Sequence, residues 1–257
     1  GFFLGYSRTS QLYSSEINRW YQYTPFYRSS EYPGLDLDLM TGQNQFYSSF
    51  YFRYLLPESH AEFYGEFANQ GRRKGFREFL ERPNVQSGFT LGLTKMYPIR
   101  GKSYFMIEAE TTQNGLTTRD EIKRKASWYI HPYIRHGYTN EGRVLGAGIG
   151  PGANAQYFVF SWVQGFKKIG LSFERLVHNN DFYYYPILDY ESRGFWTDLA
   201  GGAQIEWNFG NMIITGSARY THSLNYNWVL YQVPKGIFTK GYDVNNLDTS
   251  FTVTWLF

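Results

Sequence analysis

Carboxylates are the side chains of this sequence with the plainest chemistry to offer. Glu62 and Glu66, in HAEFYGEFANQ at 60–70, are by type an acid/base pair. Glycoside cleavage needs its two carboxyl groups roughly 5–9.5 Å apart, whereas four residues of extended strand place them about 13 Å apart, so distance argues against hydrolysis. His178-Asn179-Asn180-Asp181 carries oxygen ligands suited to Ca²⁺ but lacks the spacing of a calcium loop, and a solvated loop is the expectation. GAGIGPG, residues 146–152, has the glycines of a phosphate cradle. A dinucleotide fingerprint would need glycine where Pro151 stands and a helix after it; here a strand pattern follows, with no Lys-Ser/Thr pair. No G-x-S-x-G elbow is present, and the absence of cysteine removes thiol nucleophiles, thiolate metal sites and disulfides. The sequence points to no catalytic residue, no metal and no cofactor, and the expectation is a protein that is not an enzyme.

The elements that position these residues are strands. Aromatic residues make up 21% of the chain while mean hydropathy is −0.47, so the rings are interleaved with polar groups rather than massed in blocks. Such a pattern suits surfaces wet on one side and apolar on the other. The net charge of +3 is too small to indicate nucleic acid as a partner. The start shows no initiator Met and no charged-then-apolar leader, as expected of a mature chain or a piece of one. A membrane helix needs roughly 20 predominantly apolar residues. The nearest candidate, 144–166, carries Gly146, Gly148, Gly150, Pro151 and Gly152 in its first half and alternates in its second, so it reads as loop then strand.

Period-two alternation recurs along the chain. At 85–94, Phe89, Leu91 and Leu93 alternate with Gln86, Gly88, Thr90, Gly92 and Thr94. Segment 103–110 sets Phe105, Ile107 and Ala109 against Glu108 and Glu110, and 155–166 sets Phe158, Phe160 and Trp162 against Tyr157, Val159 and Ser161. The pattern continues at 46–56, 61–67, 128–135, 169–174, 195–207 and 212–220. Turn signals such as YPIRGK, QGFKK and NFGN join some pairs, and long loops join others, short and long alternating only in part. The fold expected is all-β: an antiparallel transmembrane outer-membrane β-barrel of about 12 strands, one domain over 1–257, part of a larger barrel or a smaller ring. A soluble β-sandwich also alternates, but it would fill its interior with Val, Ile and Leu rather than set Tyr and Phe at strand ends. No period of tens of residues suggests a propeller. The final FTVTWLF puts Phe251, Val253, Trp255 and Phe257 on one face and Thr252 and Thr254 on the other, as a closing strand with a lipid face would.

The stretch GYTNEGRVLGAGIGPGANAQ, at 137–156, resembles the hallmark segment of the capsule assembly Wzi family in its Bacteroidota-like form. GYSRTSQ near the start, HAEFYGEFANQ, SYFMIEAETTQ at 103–113 and LSFERLVHNNDFYY at 171–184 agree in order. The resemblance implies an outer-membrane β-barrel that binds surface polysaccharide and helps hold or assemble the capsule. It also implies a family longer than this chain, with residue 1 partway round the barrel.

Inward faces are expected to collect Glu62, Glu66, Glu108, Glu110, Glu174, Asp198 and Glu206 with His131, Arg135 and Arg219. Ion pairs filling the lumen are the plainer role for them. The alternative is a saccharide path in which carboxylates and amides bind hydroxyls and Tyr129 or Tyr133 stack on sugar faces. Arg143 and Asn154, in the glycine-rich motif, complete the candidate polysaccharide-binding set of Arg143, Asn154, Tyr129, His131, Tyr133, Arg135, Glu62, Glu66 and Glu174. The basic segments 71–82 and 119–125 read as solvated loops; facing outward, they would suit phosphates or uronates of lipopolysaccharide or capsule. Expected partners are outer-membrane lipid and lipopolysaccharide, capsular polysaccharide and other outer-membrane proteins, with no nucleic acid. A passive solute channel or transporter, and a structural subunit of a larger envelope complex, are the competing readings.

Overall fold

The computed structural model describes residues 1–11, 45–70, 76–81, 86–116, 127–130, 134–181, 195–229, 236 and 238–255. Its elements are β1 (Phe2–Gln11), β2 (Gln45–Leu56), β3 (Ala61–Gln70), α1 (Phe76–Glu81), β4 (Ser87–Ile99), β5 (Ser103–Gln113), β6 (Thr139–Asn140), β7 (Arg143–Val144), β8 (Asn154–Gln164), β9 (Lys167–Val177), β10 (Thr197–Asn208), β11 (Met212–Leu224) and β12 (Val244–Trp255). Ten strands form one sheet in the order β1-β2-β3-β4-β5-β8-β9-β10-β11-β12, with β6 and β7 a separate small hairpin. Every neighbouring pair is antiparallel, and β1 and β12 are the two edges. Among the described residues no helix is long and apolar enough to cross a membrane, which says nothing of strands.

Directly paired residues of an antiparallel ladder share a face, so the register sorts the side chains. One face carries Phe63, Leu93, Ala109, Phe158 and Phe173 side by side across β3, β4, β5, β8 and β9. The other carries Glu62, Thr94, Glu108, Val159, Ser172, Gly202 and Arg219 in one row from β3 to β11. The apolar face is the open one: Leu171 is 53%, Phe173 54% and Phe251 72% exposed, while Val159 and Ser161 of the polar face are 1% exposed. A soluble sandwich would show the reverse. So large a continuous apolar surface is stable only against another apolar medium. Its residue types are graded as well. Tyr97, Trp162, Trp207 and Trp255 sit toward one end of their strands, with Phe and Leu in mid-strand, as in the aromatic girdle of a barrel wall.

Strand connections alternate strictly. The joins at 57–60, 100–102, 165–166 and 209–211 are short and lie on one rim; the strand ends on the other rim are linked through longer stretches of sequence, 12–44, 71–86, 114–153, 178–196 and 225–243. The two-residue join Gly165-Phe166 needs Gly165 at φ +57, a conformation costly for most residues. This regularity corrects the expectation of a strand over 128–135. Residues 127–130 and 134–137 are turns inside the long β5–β8 connection, and Tyr129 at φ +65 breaks the extended path. Trp128 and Ile134 share a parity and are both 3% exposed, but loop packing buries them rather than strand pairing. Among the described residues the main sheet has ten strands, and the β6–β7 hairpin brings the total to the twelve expected.

Candidate functional site

The polar face is built from residues that the register brings into one line. Arg53, Tyr64, Gly92, Glu110, Tyr157 and Glu174 follow one another across β2, β3, β4, β5, β8 and β9. Tyr64 spans the missing side chain of Gly92 and donates its hydroxyl to Glu110 Oε2 at 2.5 Å. A Cβ on Gly92 would meet the Tyr64 ring, so this glycine is the slot through which the tyrosine reaches its carboxylate. Gly92→Val is expected to cost about 1–3 kcal/mol through overpacking. The check is a lowered urea midpoint in detergent micelles that is largely restored in the Gly92→Val/Tyr64→Ala double variant.

Other donors hold the remaining carboxylates. Arg219 Nη2 lies 3.1 Å from Glu174 Oε2, Lys168 Nζ 3.9 Å from Glu108 Oε2, and Arg53 makes a two-pronged contact with Glu62 at 2.5 and 2.9 Å. Tyr157, 40% exposed, stands in register between Glu110 and Glu174, one strand spacing of about 4.8 Å from each. One donor does not saturate a carboxylate, which accepts up to roughly four hydrogen bonds. An open ring between two oriented carboxylates can offer a face to C–H groups and acceptors to hydroxyls.

The long β5–β8 connection folds back over the upper end of this face as a plug. Gln70 Nε2 donates to Ser127 O at 3.2 Å, Gln11 Nε2 to Gly137 O at 2.6 Å, and Trp128 packs toward Gly88 and Tyr47. Asp181, 1% exposed, ties the plug together: Oδ1 accepts Leu116 N–H at 2.9 Å and Oδ2 accepts the Ser127 hydroxyl at 2.6 Å. Asn180 N–H donates to Gly152 O at 2.9 Å, and Asn114 N–H to Ala153 O at 2.8 Å. Gly152, at φ +59, lies so close that an added Cβ would be 2.6 Å from Asn179 Oδ1 and 2.8 Å from Asp181 Cγ. Residues 178–181 are thus a half-buried clamp closed by the buried Asp181 and not the solvated loop expected. The glycines of GAGIGPG serve two ends: Gly152 packs against that clamp, and Gly146 lies under the Tyr129 ring.

Tyr129 sits within the plug in a ring cluster with Tyr47, Trp128 and Tyr138, and its hydroxyl accepts Ala147 N–H at 3.0 Å. Burial first, then the negative charge of Glu66, push its phenol above the ordinary tyrosine range, keeping it neutral. Glu66 itself is exposed on the polar face. Glu62 and Glu174 lie further down that face in their ion pairs. Arg135 is exposed at the plug turn, and Arg143 is exposed on the β6–β7 hairpin, whose tip residues Glu141 and Gly142 both have positive φ. Asn154 belongs to the opposite, apolar face, where its Oδ1 accepts Arg175 Nη1 at 3.0 Å. His131 and Tyr133 lie outside the described residues, as does 119–125.

Sequence reasoning missed Tyr157 as a site residue, although its parity among carboxylates was a usable signal. It also missed the rim cluster where β9 ends and β10 begins. There His178 stacks on Trp196 at 3.9 Å, and Asp198 accepts from Trp196 Nε1 at 2.9 Å and lies 2.8 Å from His178 Nε2. Tyr226 and Trp228 meet Trp196 edge-on, each at 4.9 Å. Their loop is held by Asp243, which accepts the N–H groups of Asn225 and Thr239 at 2.7 and 2.6 Å. Among the described residues no cluster of three His, Cys, Asp or Glu side chains could hold a metal ion.

No family model matches the chain, and no curated protein matches it. Among solved structures, it is similar to Wzi, an outer-membrane protein involved in group 1 capsule assembly in Escherichia coli and a carbohydrate-binding β-barrel. The TM-score is 0.58 and the identity 15%, over 87% of this chain and 45% of that one. At that identity the likeness is one of fold: an antiparallel barrel wall. The chain spans less than half the length of the structure it matches.

Proposed function

We propose that this chain forms the wall of an outer-membrane β-barrel that binds capsular or related surface polysaccharide on its polar face, near the long-loop mouth, without catalysing a reaction. The observation that carries this reading is the row Glu110–Tyr157–Glu174, an exposed ring between two oriented carboxylates. Sugars present C–H faces to rings and hydroxyls to planar acceptors, and this row offers both at one strand spacing. Glu66, Arg135 and Arg143 flank it toward the mouth as further polar contacts, Arg143 from the start of β7 beside the hairpin tip. Tyr129 supports the plug instead of stacking on ligand. The likeness in fold to a carbohydrate-binding barrel supports the same class of ligand.

The test is retention of the host's purified surface polysaccharide on the immobilised protein. Tyr157→Ala is expected to weaken binding by about 1–1.5 kcal/mol, roughly tenfold, and Tyr157→Phe to leave it nearly unchanged, because the ring face makes the contact. A deletion strain should shed capsule into the medium. Unchanged retention by the Ala variant would remove Tyr157 from the site. Undiminished capsule together with ion conductance in planar bilayers would favour the channel reading.

A further inference from the structure

The apolar face is not uniformly apolar. Across β4, β5, β8, β9 and β10 the register aligns Leu91, Thr111, Gln156, Arg175 and Leu199 in one outward-facing row. Barrel strands tilt, so such a row climbs steadily round the wall, and a level boundary between oil and headgroups would cross it once. Followed over its whole length, the row is apolar at Leu4, Phe52 and Leu91, with Gly65 between, and polar at Thr111, Gln156, Arg175, His222 and Asn245, with Leu199 the one apolar side chain on the polar side. Thr111, Gln156 and Arg175 therefore stand at the upper margin of the belt, at the level where lipid headgroups begin.

Arg175 is held at this margin by neutral groups. Its Nη1 donates to Asn154 Oδ1 at 3.0 Å and to Gln156 Oε1 at 2.8 Å, and among the described residues no carboxylate lies within ion-pair distance of it. The other outward cations toward the opposite rim are settled differently: Lys95 lies over the Tyr97 ring at 5.2 Å and Lys167 over Trp207 at 4.7 Å. Two amides thus fix one prong of the guanidinium fork and add no negative charge, leaving Nε and Nη2 for an anion. A fork of that kind suits phosphate oxygens. Beside it runs an open, mainly apolar groove of about 960 Å³ lined by Leu91, Ala109, Phe158, Phe173 and Leu199, with Gly201 in its floor. A Cβ added at Gly201 would meet nothing within 4 Å, so the floor is empty.

We infer that this face carries a site for a phosphate-bearing lipid, its phosphate on Arg175 and an acyl chain in the groove. The inference rests on the membrane-barrel reading, since the groove must face lipid. The test uses the intact protein purified in maltoside micelles, which contain no phosphate, with lipid A as probe in two forms: phosphates intact or enzymatically removed. The intact form is expected to bind at least tenfold more tightly, and Arg175→Gln to abolish that preference. Gly201→Leu, which fills the groove floor without touching Arg175, should weaken binding of both forms severalfold. Inorganic phosphate at equal concentration should not displace lipid A. Equal binding of the two forms, an unaltered preference in Arg175→Gln, or displacement by inorganic phosphate with Gly201→Leu silent would each overturn the site. Quenching of tryptophan emission by brominated acyl chains separates the premises: without quenching the membrane reading fails, and quenching without phosphate preference sinks the lipid site alone.

Discussion

Leu93→Arg is expected to prevent stable insertion of the protein into membranes, while Thr94→Arg, one residue on, is expected to be tolerated. Leu93 lies on the apolar face, paired with Phe63 and Ala109. A guanidinium on a lipid-facing strand costs about 2–4 kcal/mol near the bilayer midplane. That is a large share of the net stability of an ordinary domain, roughly 5–15 kcal/mol. Thr94 lies on the polar face, paired with Glu62 on β3 and Glu108 on β5. An arginine there gains two carboxylate neighbours and stays in the polar interior. The measurement is the heat-modifiable gel shift of the membrane fraction, with urea extraction to separate inserted from adsorbed protein. Equal outcomes for the two variants would mean that the two faces do not meet different media, and the barrel wall would have to be abandoned.

The second large effect is expected at Asp181. Removing its carboxylate in Asp181→Ala leaves the Leu116 N–H and the Ser127 hydroxyl buried without their acceptor, and each such loss costs about 1–3 kcal/mol. A sum of about 3 kcal/mol should detach the plug from the polar face while the strands, held by their own ladders, remain paired. Hydrogen exchange should accelerate by roughly two orders of magnitude at Leu116, Asn114 and Asn180, with strand amides such as those of β9 unchanged. Asp181→Asn retains one oxygen acceptor and should fall between wild type and Ala. Protection at Leu116 that survives the Ala substitution would show that the plug is held elsewhere. Because Tyr129 belongs to the same plug, polysaccharide binding that persists in Asp181→Ala would place the ligand on the strand row of Tyr157 rather than on the loops.

The strands were legible because their signal is local. Phe158, Phe160 and Trp162 against Tyr157, Val159 and Ser161 is a pattern within a few residues, and a one-residue slip would turn every side chain to the wrong medium. The same parity puts Glu62, Glu66, Glu108, Glu110 and Glu174 on one face, as the register does. It failed at Trp128–Ile130 and at Ile134 and Arg135, where an equally good alternation belongs to turns. Alternation reports two environments, and a loop packed into a lumen has two environments as surely as a strand does. Asn154 failed for a related reason: its glycine-rich context suggested a mouth loop, but as the first residue of β8 it takes the parity of Phe158 and so joins the apolar face.

By itself, then, the amino-acid order determined that this is a β protein with one oily and one wet surface, since side-chain direction in a strand follows from parity alone. Only the tertiary structure decided how the wet surface is furnished. Asp181 meets Ser127 across 54 residues and Leu116 across 65, and Gln11 meets Gly137 across 126. On the apolar face, Arg175 likewise owes its two amides to β8, 19 and 21 residues away. Contacts of that span depend on strand register and on where long connections fold back. Those are settled by the sum of many weak pairings, which no short stretch of sequence contains.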